Sequence, residues 1–198
     1  MKKNYKIIFI VFLIPIVFVS FLFISGYRFT AMQAVKSSLN SDKVGNVFGE
    51  VKRDWGTVYL LETESGIKTA LAEKKGLLWS CNSFTYFFDD IIKNDAVKTV
   101  GWISIKYKSN KQITVFAVQN EDPDVRFIQA GSNSSIQRKP ITLNETVIFS
   151  WDNTLPGNDM NAIAFNKDNL ELYKYEYPKN VTTISVKDLR WYPINNEK

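Results

Sequence analysis

With 198 residues the chain is about one domain long, and its 25 Lys and Arg against 20 Asp and Glu give a formal charge of +5. It has no histidine and a single cysteine. This excludes Ser-His-Asp triads, Cys–His dyads, zinc sites built from His or Cys, and an internal disulfide.

Residues 7–25 form a predominantly apolar run without charge, with Pro15 inside it. As a helix at roughly 1.5 Å per residue it would reach about 28 Å, close to bilayer thickness, so a transmembrane helix is expected here. The following Gly26-Tyr27-Arg28-Phe29 lacks the small-x-small pattern of a signal-peptidase site, which favours a retained signal anchor over a cleaved peptide. Lys2, Lys3 and Lys6 precede the run and Arg28 alone follows closely. The positive-inside bias then makes residues 1–6 cytoplasmic and places the C-terminal domain outside the cell membrane, single-pass. Those four cations belong to the anchor, so the remainder carries 21 cations against 20 acids. The basic balance is therefore no sign of nucleic acid, which calls for a concentrated basic face.

Residues 26–45 read as a membrane-proximal helix or linker. Phe29, Met32, Val35 and Leu39 recur at helical spacing before Ser37, Ser38, Asn40 and Ser41 end the pattern. Whether this helix continues the anchor as a stalk or folds back on the domain stays open.

Residues 46–198 read as a β-rich domain. Thr57 to Glu62 and Ile67 to Ala72 flank the turn Glu64-Ser65-Gly66, and Lys74-Lys75-Gly76 separates them from the apolar Leu77 to Trp79. Cys81 follows directly and is expected to be buried. Ser83 can cap a helix on which Phe84, Phe87, Phe88 and Ile91 share one stripe, giving an inserted amphipathic helix with Asp89 and Asp90 on its polar face. Strands follow over 97–107 and 113–118, joined by Ser109-Asn110-Lys111, then over 125–128, 146–151, 162–165 and 170–177. In the last of these, Tyr173, Tyr175 and Tyr177 alternate with Leu170 and Leu172. Period-two alternation would turn the tyrosines to an outer face, making them candidate binding residues. The fold class expected is α+β, mainly antiparallel β.

Thr57-Val58-Tyr59-Leu60 with Ala70-Leu71-Ala72 and Gly76-Leu77-Leu78-Trp79 carries a resemblance, as does Ile113-Thr114-Val115 with Ala162-Ile163-Ala164-Phe165. In pattern the chain resembles single-span, membrane-anchored proteins of Gram-positive bacteria that hold a β-rich domain outside the membrane. The likeness implies an architecture and a location. It implies no activity and assigns no site residue.

Other chemistries are weakly represented. Ser65-Gly66-Ile67-Lys68 has the spacing of a serine–lysine pair, but it falls on a hairpin turn where the two side chains are expected to diverge. The loop from Asp152 to Asp159 and the stretch Asn120-Glu121-Asp122-Pro123-Asp124 are rich enough in oxygen for calcium, yet neither has the glycine-bearing EF-hand spacing. Turn formation by Asn and Asp accounts for both without an ion. Sequons at Asn133, Asn144 and Asn180 are what an Asn-, Ser- and Thr-rich chain produces by chance. The function expected is a non-enzymatic binding or regulatory module of the bacterial cell envelope, needing no cofactor and engaging another envelope protein or a wall component. The alternatives are an accessory subunit of a larger membrane complex and, behind it, a hydrolase using carboxylates or Ser–Lys.

Overall fold

The computed structural model describes residues 2–39, 42–86, 94–108, 110–179 and 183–194, without the side chains of 2–8, 10, 86 and 108. Two α-helices precede twelve strands among these residues. They are α1 (Lys2–Ile24), α2 (Ala31–Ser38), β1 (Val44–Arg53), β2 (Gly56–Thr63), β3 (Gly66–Lys75), β4 (Leu78–Tyr86), β5 (Val97–Lys108), β6 (Lys111–Asn120), β7 (Phe127–Ala130), β8 (Gln137–Pro140), β9 (Thr146–Trp151), β10 (Ile163–Phe165), β11 (Glu171–Glu176) and β12 (Arg190–Pro193). Every strand pairing is antiparallel.

The strands form three sheets, ordered β1-β2-β3-β4, β5-β6-β9 and β12-β11-β10-β7-β8. Three apolar clusters show how these stack with α2. The first joins Ala31, Ala34, Val35 and Leu39 to Tyr59, Leu61, Ala70, Ala72 and Cys81. The second joins Val58, Leu60 and Leu71 to Val100, Ile103, Ile113, Val115 and Ala117. The third joins Phe116, Val118, Phe149 and Trp151 to Ile128, Ala164, Tyr175 and Trp191. The order is therefore α2, first sheet, middle sheet, last sheet.

This stacking explains why β2, β3 and β6 each contain six consecutive buried residues. Alternate side chains point to opposite faces, and here both faces are covered. On β6, Ile113, Val115 and Ala117 face the first sheet, while Phe116 and Val118 face the last. The first two sheets lie close at Gly101, where an added methyl would overlap Leu60 Cδ2. Gly49 is equally confined, against Ile148 Cδ1 and Leu60 Cδ1.

Helix α2 begins at Thr30, whose side chain accepts from the Gln33 N–H at 3.2 Å, and it folds back on β3 and β4. Immediately before it, Arg28 and Trp79 exchange backbone hydrogen bonds of 2.8 Å, pinning the chain to the start of β4.

Three expectations need correction. No helix among the described residues is long and apolar enough to cross a membrane. This overturns the transmembrane helix over 7–25, and with it the single-pass placement of an external domain behind a cytoplasmic N-terminus. Second, the inserted amphipathic helix is not formed where it is described, because residues 83–86 belong to β4. There Phe84 pairs with Ala70 and Thr85 with Thr69. The edge of β3 offers those backbone groups long-range partners, which outweighs a local helical spacing of phenylalanines. Residues 87–93, including Asp89 and Asp90, lie outside the described residues. Third, with β1, β8 and β12 added to the expected strands, the class is mainly antiparallel β rather than α+β.

Candidate binding cleft

Two depressions mark the described surface. One, of about 330 Å³, lies beneath α2 and is lined by Gly26, Ala34, Ser37, Ser38, Cys81, Asn82 and Phe84. None of these lining residues is charged. Cys81 is buried, and burial pushes its thiol above the ordinary range despite hydrogen bonds from Ser38 and toward the Ser83 carbonyl, which leaves it a weak nucleophile.

The other, of about 440 Å³, is lined by Asp54, Trp55, Lys74, Gly76, Asn110 and Lys111. It lies where three hairpin ends converge. Arg53 pairs with Gly56, so Asp54-Trp55 is a two-residue loop, and Lys75 pairs with Leu78, so Gly76-Leu77 is another. Gly76 takes φ +65°, the left-handed conformation that the first central position of such a turn demands. Lys108 pairs with Lys111 at the third end. The Lys74 N–H donates to the Trp55 carbonyl at 2.9 Å and ties the first two ends together.

Apolar and cationic groups are interleaved here. Trp55 packs one part of its indole against the core between the first two sheets and leaves the rest in the cleft. Leu77 stands 92 % exposed at the hairpin tip. The Lys74 ammonium lies 5.9 Å from the Trp79 ring centroid. Several neighbouring charges are already matched: Lys75 with Glu73 at 2.5 Å, Lys52 with Glu50 at 3.2 Å, and Arg53 with Asp152 at 2.6 Å. Burial works against the charge of Lys75, but Glu73 and Tyr107 more than offset it and raise its pKa. Among the described residues neither Lys74 nor Lys111 has a carboxylate partner. Asp54 is the one acid lining the cleft.

The tyrosines expected on an outer face are elsewhere and do not act together. Tyr175 is buried, with its ring 5.4 Å from Phe116 and 5.6 Å from Trp191. Tyr173 is half-buried, and its hydroxyl donates to Asp122 at 2.7 Å. Tyr177 is half-exposed beyond the end of β11. Tyr173 and Tyr175 turn inward because the last sheet lays this face on the middle sheet, while Leu170, expected on the other side, is 56 % exposed. Burial first, and then the bond to Asp122, push Tyr173 up to about 12, and burial does the same for Tyr175.

Ser65 and Lys68 do not diverge as expected. Both converge on Asp42, with the Ser65 hydroxyl donating at 2.6 Å and the Lys68 ammonium also donating to Oδ2. Both side chains are thereby engaged by one carboxylate, and the trio ties the β2–β3 turn to the segment after α2. Asp152 is engaged by Arg53, and Asn158 and Asp159 form a single short helical turn. In the other oxygen-rich stretch, Asn120 is fully buried and binds the backbone of Asp122 and Thr142, and Asp122 accepts from the Asp124 N–H. Among the described residues no group of three or more His, Cys, Asp and Glu is placed to hold a metal ion.

The elements of the cleft are visible in the sequence as turn signals, Asp54-Trp55-Gly56 and Lys74-Lys75-Gly76 among them. Their convergence is not, because it depends on how two sheets stack. No family model, curated protein or solved structure matches this chain.

Proposed function

We propose that this protein is a non-enzymatic binding module whose partner docks at the cleft formed by the β1–β2, β3–β4 and β5–β6 turns. The observation that carries the reading is a cleft of about 440 Å³ at converging hairpin ends, lined by a half-buried tryptophan and by two lysines that have no carboxylate partner among the described residues. Aromatic anchors such as a partly exposed tryptophan are what protein contact surfaces concentrate. The histidine-free sequence supports it too, since general acid–base chemistry near neutral pH then rests on shifted carboxylates or lysines.

A photo-crosslinking residue placed at Lys111, in cells that make the protein, tests this. One discrete adduct is expected from that position and none from Leu143, which is 48 % exposed at the opposite end of β6. Equal labelling from both positions, or none from Lys111, would overturn the proposal.

A further inference from the structure

We infer that α1 is a self-association helix, packing against the α1 of other copies of this chain in a bundle of at least three. This surface is separate from the cleft. None of the three apolar clusters takes a residue from α1. Within 11–24 every large apolar side chain except Leu22 is exposed, from 38 % at Phe23 to 86 % at Ile24. The four phenylalanines of that stretch alone leave about 350–550 Å² open, as much as the largest apolar patch of an ordinary monomer. Its seven exposed aliphatic side chains bring the total to the order of 800 Å², one partner's share of a stable interface.

Spacing says how many copies are needed. Val11, Ile14, Phe18 and Phe21 follow the three-four-three rhythm of a helix–helix seam. Phe12, Ile16, Val19 and Phe23 make a second seam, and Leu13, Val17 and Ile24 a third, roughly a third of a turn apart. One neighbour covers one seam, so a pair of helices leaves most of the apolar surface in water. Each helix therefore takes at least two neighbours, and the smallest closed arrangement is a ring of three. Residues 7–25 carry no charge, so nothing repels an identical helix and a charged partner surface finds nothing to pair with. The end of α1 holds it out for such contact. Gly26 takes φ +84°, the Tyr27 N–H donates to the Leu22 carbonyl at 3.0 Å, and the Arg28 guanidinium donates to the Phe23 carbonyl at 2.7 Å while its backbone pairs with Trp79. The seams are thus presented before a second copy arrives, which lowers the entropy lost on association.

Sedimentation velocity of the full chain in detergent-free buffer tests this. A single species of at least three times 22.8 kDa is expected, unchanged over a tenfold dilution. I14E/F18E on one seam and F12E/V19E on another are each expected to lower the mass to that of one chain. Both should keep the circular dichroism and tryptophan emission of the sheets, because α1 lies outside the apolar clusters and holds no tryptophan. V186S, at an exposed residue of the short turn before β12, should leave the mass unchanged. A single-chain mass for the wild type, a continuous distribution of sizes, or charged variants that still associate would overturn the inference. So would flotation of the wild type with phosphatidylcholine vesicles as a monomer, since lipid rather than a second copy would then cover the helix.

Discussion

Asp42 shows how a single residue ties segments together. It lies just beyond α2 and receives the buried Lys68 of β3 and the Ser65 hydroxyl of the β2–β3 turn. Those two groups, Lys68 first, hold its carboxyl well below the usual carboxylate range. A carboxyl with a depressed folded pKa contributes stability above its unfolded value, near 4, and loses it as pH falls toward the folded value. Asp42→Asn should therefore be less stable than wild type in urea at pH 6, with the gap narrowing steadily toward pH 2. A gap independent of pH would contradict the pairing. The tyrosines act in the opposite pH range. Tyr59, Tyr173 and Tyr175 are each pushed up to about 12, by burial first, so their contribution is complete below about 10 and lost as pH rises beyond it. A spectrophotometric titration should find at least three of the nine tyrosines still protonated at pH 11 in the folded protein. The sequence grouped Tyr173 and Tyr175 correctly on one side of a strand, but alternation alone cannot say which side is inward.

At the scale of elements, the free edge of β9 is covered by side chains rather than by another strand. The Gln137 side-chain amide donates to the Ser150 carbonyl at 2.9 Å and the Lys139 ammonium to the Ile148 carbonyl at 2.6 Å, both from β8 of the neighbouring sheet. Open sheet edges invite pairing with other chains, and a lysine on the edge is a standard protection. Q137A/K139A should consequently increase concentration-dependent association, read by light scattering, with little change in the circular dichroism spectrum. Unchanged scattering would show that the edge needs no cover. Helix α2 is eight residues long and relies on its cap and its packing. Thr30→Ala should cost about 1 kcal/mol in urea unfolding. Hairpins such as β2–β3 and β5–β6 were legible because alternating residues, turn chemistry and pairing agree locally. β4 was not, because its helix-like phenylalanine spacing conflicts with a pairing partner that only the fold supplies.

For the whole molecule, the decisive feature is a middle sheet covered on both sides. Leu60 fills the space between the first and middle sheets and is fully buried. Leu60→Ala should cost about 2–5 kcal/mol, the range for buried leucine truncation. Gly101→Val should destabilise by more than about 1 kcal/mol by forcing the same two sheets apart. Since β2 packs on α2 through one face and on the middle sheet through the other, circular dichroism and tryptophan fluorescence should report one coincident transition in each variant. Separate transitions would mean that the layers fold independently. Long uniform apolar runs in β2 and β6 already hinted at strands covered on both faces, but nothing local says which sheet covers which.

By itself the sequence determined the strands other than β1, β4, β8 and β12, most turns, the absence of histidine and disulfide chemistry, and the burial of Cys81. Each of these follows from residue type or from spacing over a few neighbours. Tertiary structure alone decided that Tyr173 and Tyr175 face inward, that Phe84 belongs to a strand, that Ser65 and Lys68 meet on Asp42, and that three turns form one cleft. Those outcomes depend on groups brought together from distant parts of the chain, where the free energy of burying a shared face outweighs local preference.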